Sequence, residues 1–168
     1  MSKRIKVLTG TINCGKTTYA AAMVMEKRSS GRLVGGILSR AFWDKGVKRG
    51  FYFEDILTGK RILLCAERGY GGEEFKKSGG PDTGRFFFNP NAFLFAETSL
   101  LAARRADIII IDELGRLEAG EKGLYSVTKR LIDEFDGELV LVIRRELVED
   151  ILNVLHVERH LIDTISLD

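Results

Sequence analysis

Gly10-Thr11-Ile12-Asn13-Cys14-Gly15-Lys16-Thr17 sets two glycines five positions apart and follows the second with a lysine and a hydroxyl. Every fixed position of the pattern G-x-x-x-x-G-K-[ST] is met. Glycine at both places lets the backbone curl until successive N–H groups aim at one anion. A helix beginning near Gly15 adds the positive end of its dipole. In this chemistry the backbone from Gly10 through Thr18 cradles a polyphosphate. The Lys16 ammonium reaches its β- and γ-phosphates, and the Thr17 hydroxyl is a ligand for Mg²⁺.

A second stretch supplies acids. Ile108-Ile109-Ile110-Ile111 ends in Asp112-Glu113. Four aliphatic residues before an acid describe a buried strand that delivers a carboxylate to the sheet edge where α/β proteins bind ligands. Asp112 is the expected second Mg²⁺ ligand, opposite Thr17. Glu113 leaves the other side of the strand and is suited to orient or deprotonate an attacking water. Arg116 is placed to neutralise charge that develops during phosphoryl transfer, with an ion pair to Glu118 or a solvated face as the alternative.

The rest of the chain must hold these two stretches together. Arg4–Thr9 reads as a buried parallel strand, Lys16 to about Arg28 as a helix, and Leu33–Leu38 as a second strand. Between Ser39 and Phe88, aromatics and glycines alternate with charges. Gly50–Leu57 and Arg61–Cys65 flank a Thr58-Gly59-Lys60 turn and predict a hairpin or small meander. Gly69–Gly84, with six glycines, reads as a loop, and Arg85–Phe88 as a short strand. Asn89-Pro90 caps a helix running to about Arg105. Leu124, Val127, Leu131 and Phe135 form one helical face. Leu139–Ile143, Glu146–Leu155 and Leu161–Ser166 read as strand, helix and strand. Strands alternating with helices predict a three-layer α/β fold with a mostly parallel sheet, residues 1–168 forming one domain with an insert at about 39–88.

Composition narrows the setting. An apolar content of 45% and a charged content of 30% suit a globular chain able to bury a core. A net charge of +2 gives no electrostatic reason to expect nucleic acid or a membrane as partner. No apolar run reaches the roughly 20 residues of a spanning helix. Met1-Ser2-Lys3-Arg4 leads straight into the first strand without the apolar stretch of a signal peptide. Cys14 and Cys65 have no metal-binding spacing, which fits a reduced, cytoplasmic protein, read here as a monomer.

Gly10–Thr17 together with Ile111-Asp112-Glu113-Leu114-Gly115-Arg116-Leu117-Glu118 resembles the cancer-related, or thermostable, nucleoside-triphosphatase family. That family carries a similar Asp-Glu-Ile-Gly-Lys-Met-Glu block. Gly46–Phe51 resembles its Gly-x-Arg-x-Gly-Phe segment, Thr58-Gly59 its hairpin turn, and Gly84-Arg85-Phe86 its Gly-Arg-Tyr strand start. The resemblance spans nearly the whole chain in order. It implies a RecA-like P-loop core with an added β-hairpin and slow Mg²⁺-dependent hydrolysis of ATP, GTP and other nucleoside triphosphates. The departures are Lys48 at the family's arginine, Ser39–Trp43 where the family places an acid and an arginine, and an end at Asp168 where the family continues into an Asn-Arg segment. They bear on base recognition and on any second substrate.

Trp43, Phe42, Phe51 and Tyr52 are candidates to stack on a base. Arg85, Arg144 and Arg145 are candidates to touch phosphate. Two other functions use the same apparatus. A kinase would hand the γ-phosphoryl to a hydroxyl held by 39–53 and 69–84, and a nucleotide-gated binding module would retain only vestigial hydrolysis.

Overall fold

A computed structural model describes residues 4–168, so of the lead-in Met1–Arg4 only Arg4 lies among the described residues. The chain runs β1 (Arg4–Gly10), α1 (Lys16–Ser29), β2 (Val34–Asp44), β3 (Val47–Asp55), β4 (Arg61–Ala66), α2 (Gly72–Lys77), β5 (Phe87–Phe88), α3 (Pro90–Ala102), β6 (Ile108–Leu114), α4 (Arg116–Ala119), α5 (Tyr125–Glu134), β7 (Glu138–Arg144), α6 (Val148–Val154) and β8 (Ile162–Ser166). The strands form one sheet in the order β5-β4-β3-β2-β6-β7-β1-β8. From β2 to β8 neighbouring strands are parallel, and β3, β4 and β5 extend the sheet antiparallel.

The aliphatic runs occupy the centre because helices cover both faces there. Ile108, Ile109, Ile110 and Ile111 are all wholly buried. Alternation along each strand splits the core in two. Leu8, Ile110 and Val142 pack with Ala20 and Val24 of α1 on one face. Val7, Ile111 and Leu141 pack with Leu100 of α3, Leu131 of α5 and Ile151 of α6 on the other. This is the expected three-layer α/β architecture. It brings the carboxyl ends of β1 and β6 to one edge of the sheet with β7 between them.

Four local expectations change. β2 does not stop at Leu38 but runs to Asp44 and turns at Lys45-Gly46, both at positive φ (49° and 75°), into β3. Two residues of that conformation match the twist of paired strands, and Gly46 makes the turn affordable. The glycine-rich segment 69–84 is not all loop. It contains α2, which carries Glu73 and Glu74 in its first turn and Lys76 and Lys77 in its last, charges ordered to suit the helix dipole. The predicted strand 85–88 shrinks to Phe87–Phe88. The helix predicted from Glu146 opens as a 3₁₀ turn, Arg145–Leu147, before α6. By contrast, Asn89 caps α3 as read, accepting from the Asn91 N–H at 3.1 Å, with Pro90 in the first turn.

Gly36 fixes the β2–β6 register. It lies opposite Ile110 at φ +114°, and a Cβ there would sit 2.0 Å from the Ile110 carbonyl oxygen. Backbone on both sides cannot yield cheaply. Gly36→Ala is therefore expected to cost about 2–3 kcal/mol, measurable as a lower urea midpoint with unchanged slope.

Candidate active site

The loop between β1 and α1 curls as its glycines allow. Gly15 is left-handed at φ +94°, and so is Asn13 at φ +60°. Gly15 is also the N-cap residue of α1, with no side-chain cap and no acid in the first turn. The first amides of a 14-residue helix thus keep their donors for an anion. Lys16 folds back over the loop, its Nζ donating to the carbonyls of Gly10 (3.1 Å) and Thr11 (2.6 Å) and lying 3.8 Å from Cys14 Sγ. Gly15, Lys16, Thr17 and Thr18 line a cavity of about 580 Å³ with Asn13 and Glu113. The far end of the loop is pinned by Asp168, whose Oδ2 accepts from the Thr11 N–H at 2.8 Å and from the Thr11 hydroxyl.

β6 brings its acids to the same place. The Thr17 hydroxyl donates to Asp112 Oδ2 at 2.8 Å, across 95 residues of sequence, and the Ser39 N–H donates to the same oxygen at 2.9 Å. Asp112 is wholly buried, and neither its Oδ1 nor the buried Ser39 hydroxyl has a partner among the described residues. Burial, reinforced by the neighbouring Glu113 charge, pushes the Asp112 carboxyl up to about 7, against the hydrogen bonds that favour its charged form. A hydroxyl and a carboxylate with a free oxygen, on hard oxygen atoms only, is a donor set that suits Mg²⁺, which keeps several of its waters.

Glu113 sits at φ +60°, in the left-handed region, where the β6–β7 register slips between Ile111 and Leu114. A bulge with a non-glycine residue there costs energy and re-aims the side chain. Asp112 faces α1, whereas Glu113 borders the phosphate-loop cavity and also a cleft of about 20 Å³ shared with Lys16 and Arg144. That volume admits about one water.

Two residues that the sequence marked only as departures from the family pattern turn out to be contributors. Ser39 supplies a backbone donor to Asp112, and Lys48 reaches across from the β2–β3 hairpin. Lys48 Nζ donates to Asn13 Oδ1 at 2.9 Å and lies 5.2 Å and 5.1 Å from the ring centroids of Trp43 and Phe51. The signal was present in the Lys48-Arg49 pair, but only the strand alternation decides which of them faces the loop. Arg49 points the other way, to Glu67 at 2.8 Å.

Several candidates are employed elsewhere. Arg85 binds Glu67 (2.7 Å) and the Lys48 carbonyl (2.7 Å), and Arg145 binds Ser166 and Asp168. Phe42 packs against Tyr52 and Tyr70 as hairpin filling, which leaves Trp43 and Phe51 in the cavity wall. Arg116 does not pair with Glu118. The Glu118 carboxylate instead caps the turn around α4, accepting from the N–H groups of Gly115 (2.8 Å) and Leu124 (2.9 Å). Arg116 is exposed and lines a neighbouring cavity rather than the phosphate-loop one. No helix among the described residues is long and apolar enough to cross a membrane.

A glycine loop closing over the carboxyl edge of a parallel sheet, with an acid from a non-adjacent strand hydrogen-bonded to its threonine, defines the P-loop nucleoside-triphosphatase class. Two solved structures share this fold. One is the solution structure of a human cancer-related nucleoside triphosphatase (TM-score 0.72, 21% identity, 97% of this chain and 88% of that one). The other is the crystal structure of THEP1 from the hyperthermophile Aquifex aeolicus (TM-score 0.69, 19% identity, 97% and 89%). A family model described as NTPase matches residues 6–166, and the chain belongs to that family. Among its relatives is nucleoside-triphosphatase THEP1 of Methanopyrus kandleri, 30% identical over 140 residues that cover 83% of this chain and 73% of that protein. THEP1 of Korarchaeum cryptofilum is 26% identical over 140 residues, and there the match spans only 65% of the relative's length.

Proposed function

We propose that this chain is a Mg²⁺-dependent nucleoside-triphosphatase that releases the γ-phosphate of ATP, GTP and related triphosphates. The observation that carries the reading is the Thr17–Asp112 contact at 2.8 Å beside an unpartnered, buried Asp112 oxygen. Thr17 and Asp112 would hold the metal, whose charge, when bound, offsets that of the β- and γ-phosphate oxygens. The loop amides and the Lys16 ammonium bind those oxygens and fix the in-line direction. Glu113, beside a space for one water, orients that water and accepts its proton. Arg116 is given no part in the phosphate set, because its side chain lines the other cavity. The family's curated names favour hydrolysis over a kinase or a binding module without turnover. Two free thiols, Cys14 and Cys65, support a reducing, cytoplasmic setting.

Phosphate release from each of the four common ribonucleoside triphosphates, with Mg²⁺ and with excess chelator, tests the reading. Turnover that is absent, or that ignores the chelator, overturns it. Lys48 is assigned to the triphosphate because it already reaches the tip of the loop. Lys48→Met should raise the triphosphate Kd about tenfold and flatten its dependence on salt, while thermal stability hardly changes.

A further inference from the structure

A second cavity, of about 440 Å³, opens on the opposite side of the β6 end from Asp112 and α1. Its walls come from β3, β4, the turn before β5, α3, the β6–α4 junction, the end of β7 and the tip of the phosphate loop at Ile12 and Asn13. Phe51, Phe86, Phe88 and Phe93 line it, and each of these rings is only partly buried. They are held in fixed relation, Phe51 edge-on to Phe86 at 5.7 Å and Phe88 stacked on Phe93 at 6.1 Å. Partly wet aromatic rings gathered around one concavity, rather than scattered, mark a place that gains by being filled. The rim carries Arg116 and Arg144, and neither makes an ion pair or a side-chain hydrogen bond among the described residues. The third arginine there, Arg85, is committed to Glu67 and the Lys48 carbonyl. Two uncommitted guanidinium groups over an aromatic floor ask for an anion attached to a flat ring. Asn13, Lys48, Phe51 and Glu113 border both cavities, so an occupant here lies next to the triphosphate but outside its site.

We infer that this cavity is a second ligand site, taking a small molecule that joins one flat aromatic or heteroaromatic ring to a phosphate or carboxylate group. The inference concerns binding alone and does not depend on turnover.

Isotope-labelled protein, loaded with a non-hydrolysable triphosphate and Mg²⁺ to fill the phosphate loop, is titrated by NMR with two sets of probes. One set is the nucleoside 5′-monophosphates of adenine, guanine, cytosine and uracil, and the other is nicotinate and 4-hydroxybenzoate. The expected result is saturable shifts of Phe88, Phe93 and Leu64 signals with at least one probe, the responding set identifying the anion. Adenosine and ribose 5-phosphate, which each lack one half of the chemistry, should bind at least about tenfold more weakly than the monophosphates if those respond. Phe86→Ala removes a wall, and Leu117→Glu sets a negative charge at the mouth. Each should weaken the probe about tenfold and leave triphosphate affinity as it was. If Phe86→Ala loses triphosphate binding by misfolding, Leu117→Glu decides the matter. The inference is overturned if no probe shifts these signals, if the shifts fall only on residues 10–18, or if the folded variants bind as the wild type does.

Discussion

Glu113→Gln is expected to lower kcat for triphosphate hydrolysis by about 10²–10³-fold and to leave the triphosphate Kd within about twofold. The amide keeps the size of the carboxylate and one of its acceptors, so a water can still be seated in the cleft shared with Lys16 and Arg144. What is lost is the capacity to take that water's proton as the bond to phosphorus forms. Binding should be spared because the phosphate contacts come from the loop amides, Lys16 and Thr17, none of which depends on Glu113 for position. Lys16 is held by the Gly10 and Thr11 carbonyls, and Thr17 by Asp112. Single-turnover phosphate release, paired with titration of a non-hydrolysable triphosphate, separates the two effects. If affinity falls with turnover, Glu113 is part of the binding set. If neither moves, the base lies elsewhere.

The two halves of the candidate site were legible for different reasons. Gly10–Thr17 is local chemistry: the glycines, lysine and threonine act through the backbone that carries them, so spacing alone predicts their arrangement. Asp112 needed one more step, the inference that four isoleucines must be central strand and so must end at the ligand-binding edge. Lys48 and Ser39 stood out only as departures from the family pattern, and the roles they take were not legible. Each matters through the register of a strand pair, and β2 runs six residues past its predicted end at Leu38 to reach Asp44. The stretch Ser39–Asp44 is partly buried or, at Trp43, exposed beyond its first residue and reads as loop-like mixed polarity, although antiparallel pairing with β3 keeps it extended. The same weakness hid α2. Glycines at 69, 71, 72, 79 and 80 outweigh six helical residues in any window, while the charge order that favours the helix is a smaller signal.

Asp112→Asn should move stability and activity in opposite directions. In the native fold the Asp112 carboxyl is raised from 3.8 to about 7, chiefly by burial. An acid whose native pKa lies above its unfolded value holds its proton in the fold at pH values where the unfolded chain has released it. The contribution of this group to the stability of the metal-free protein therefore falls as pH rises from about 4 to about 7 and then levels off. The interval between 3.8 and about 7 corresponds to about 4 kcal/mol carried by the ionised protein above that range. Asparagine removes this cost but buries an amide whose N–H groups lack partners, which returns about 1–3 kcal/mol. With chelator present, the variant should thus match or exceed wild-type stability by up to about 3 kcal/mol at pH 8, and the wild-type decline between pH 4 and 7 attributable to this group should vanish. Mg²⁺ should reverse the ranking. It should stabilise the wild type at pH 8 and leave the variant almost unmoved, while turnover of the variant drops by at least about 10²-fold. Denaturation across pH, with chelator and with Mg²⁺, reads all of this from two proteins. A variant less stable than the wild type at pH 8 without metal would mean that the Thr17 and Ser39 hydrogen bonds outweigh the desolvation of the charge. A variant still stabilised by Mg²⁺ would remove Asp112 from the metal.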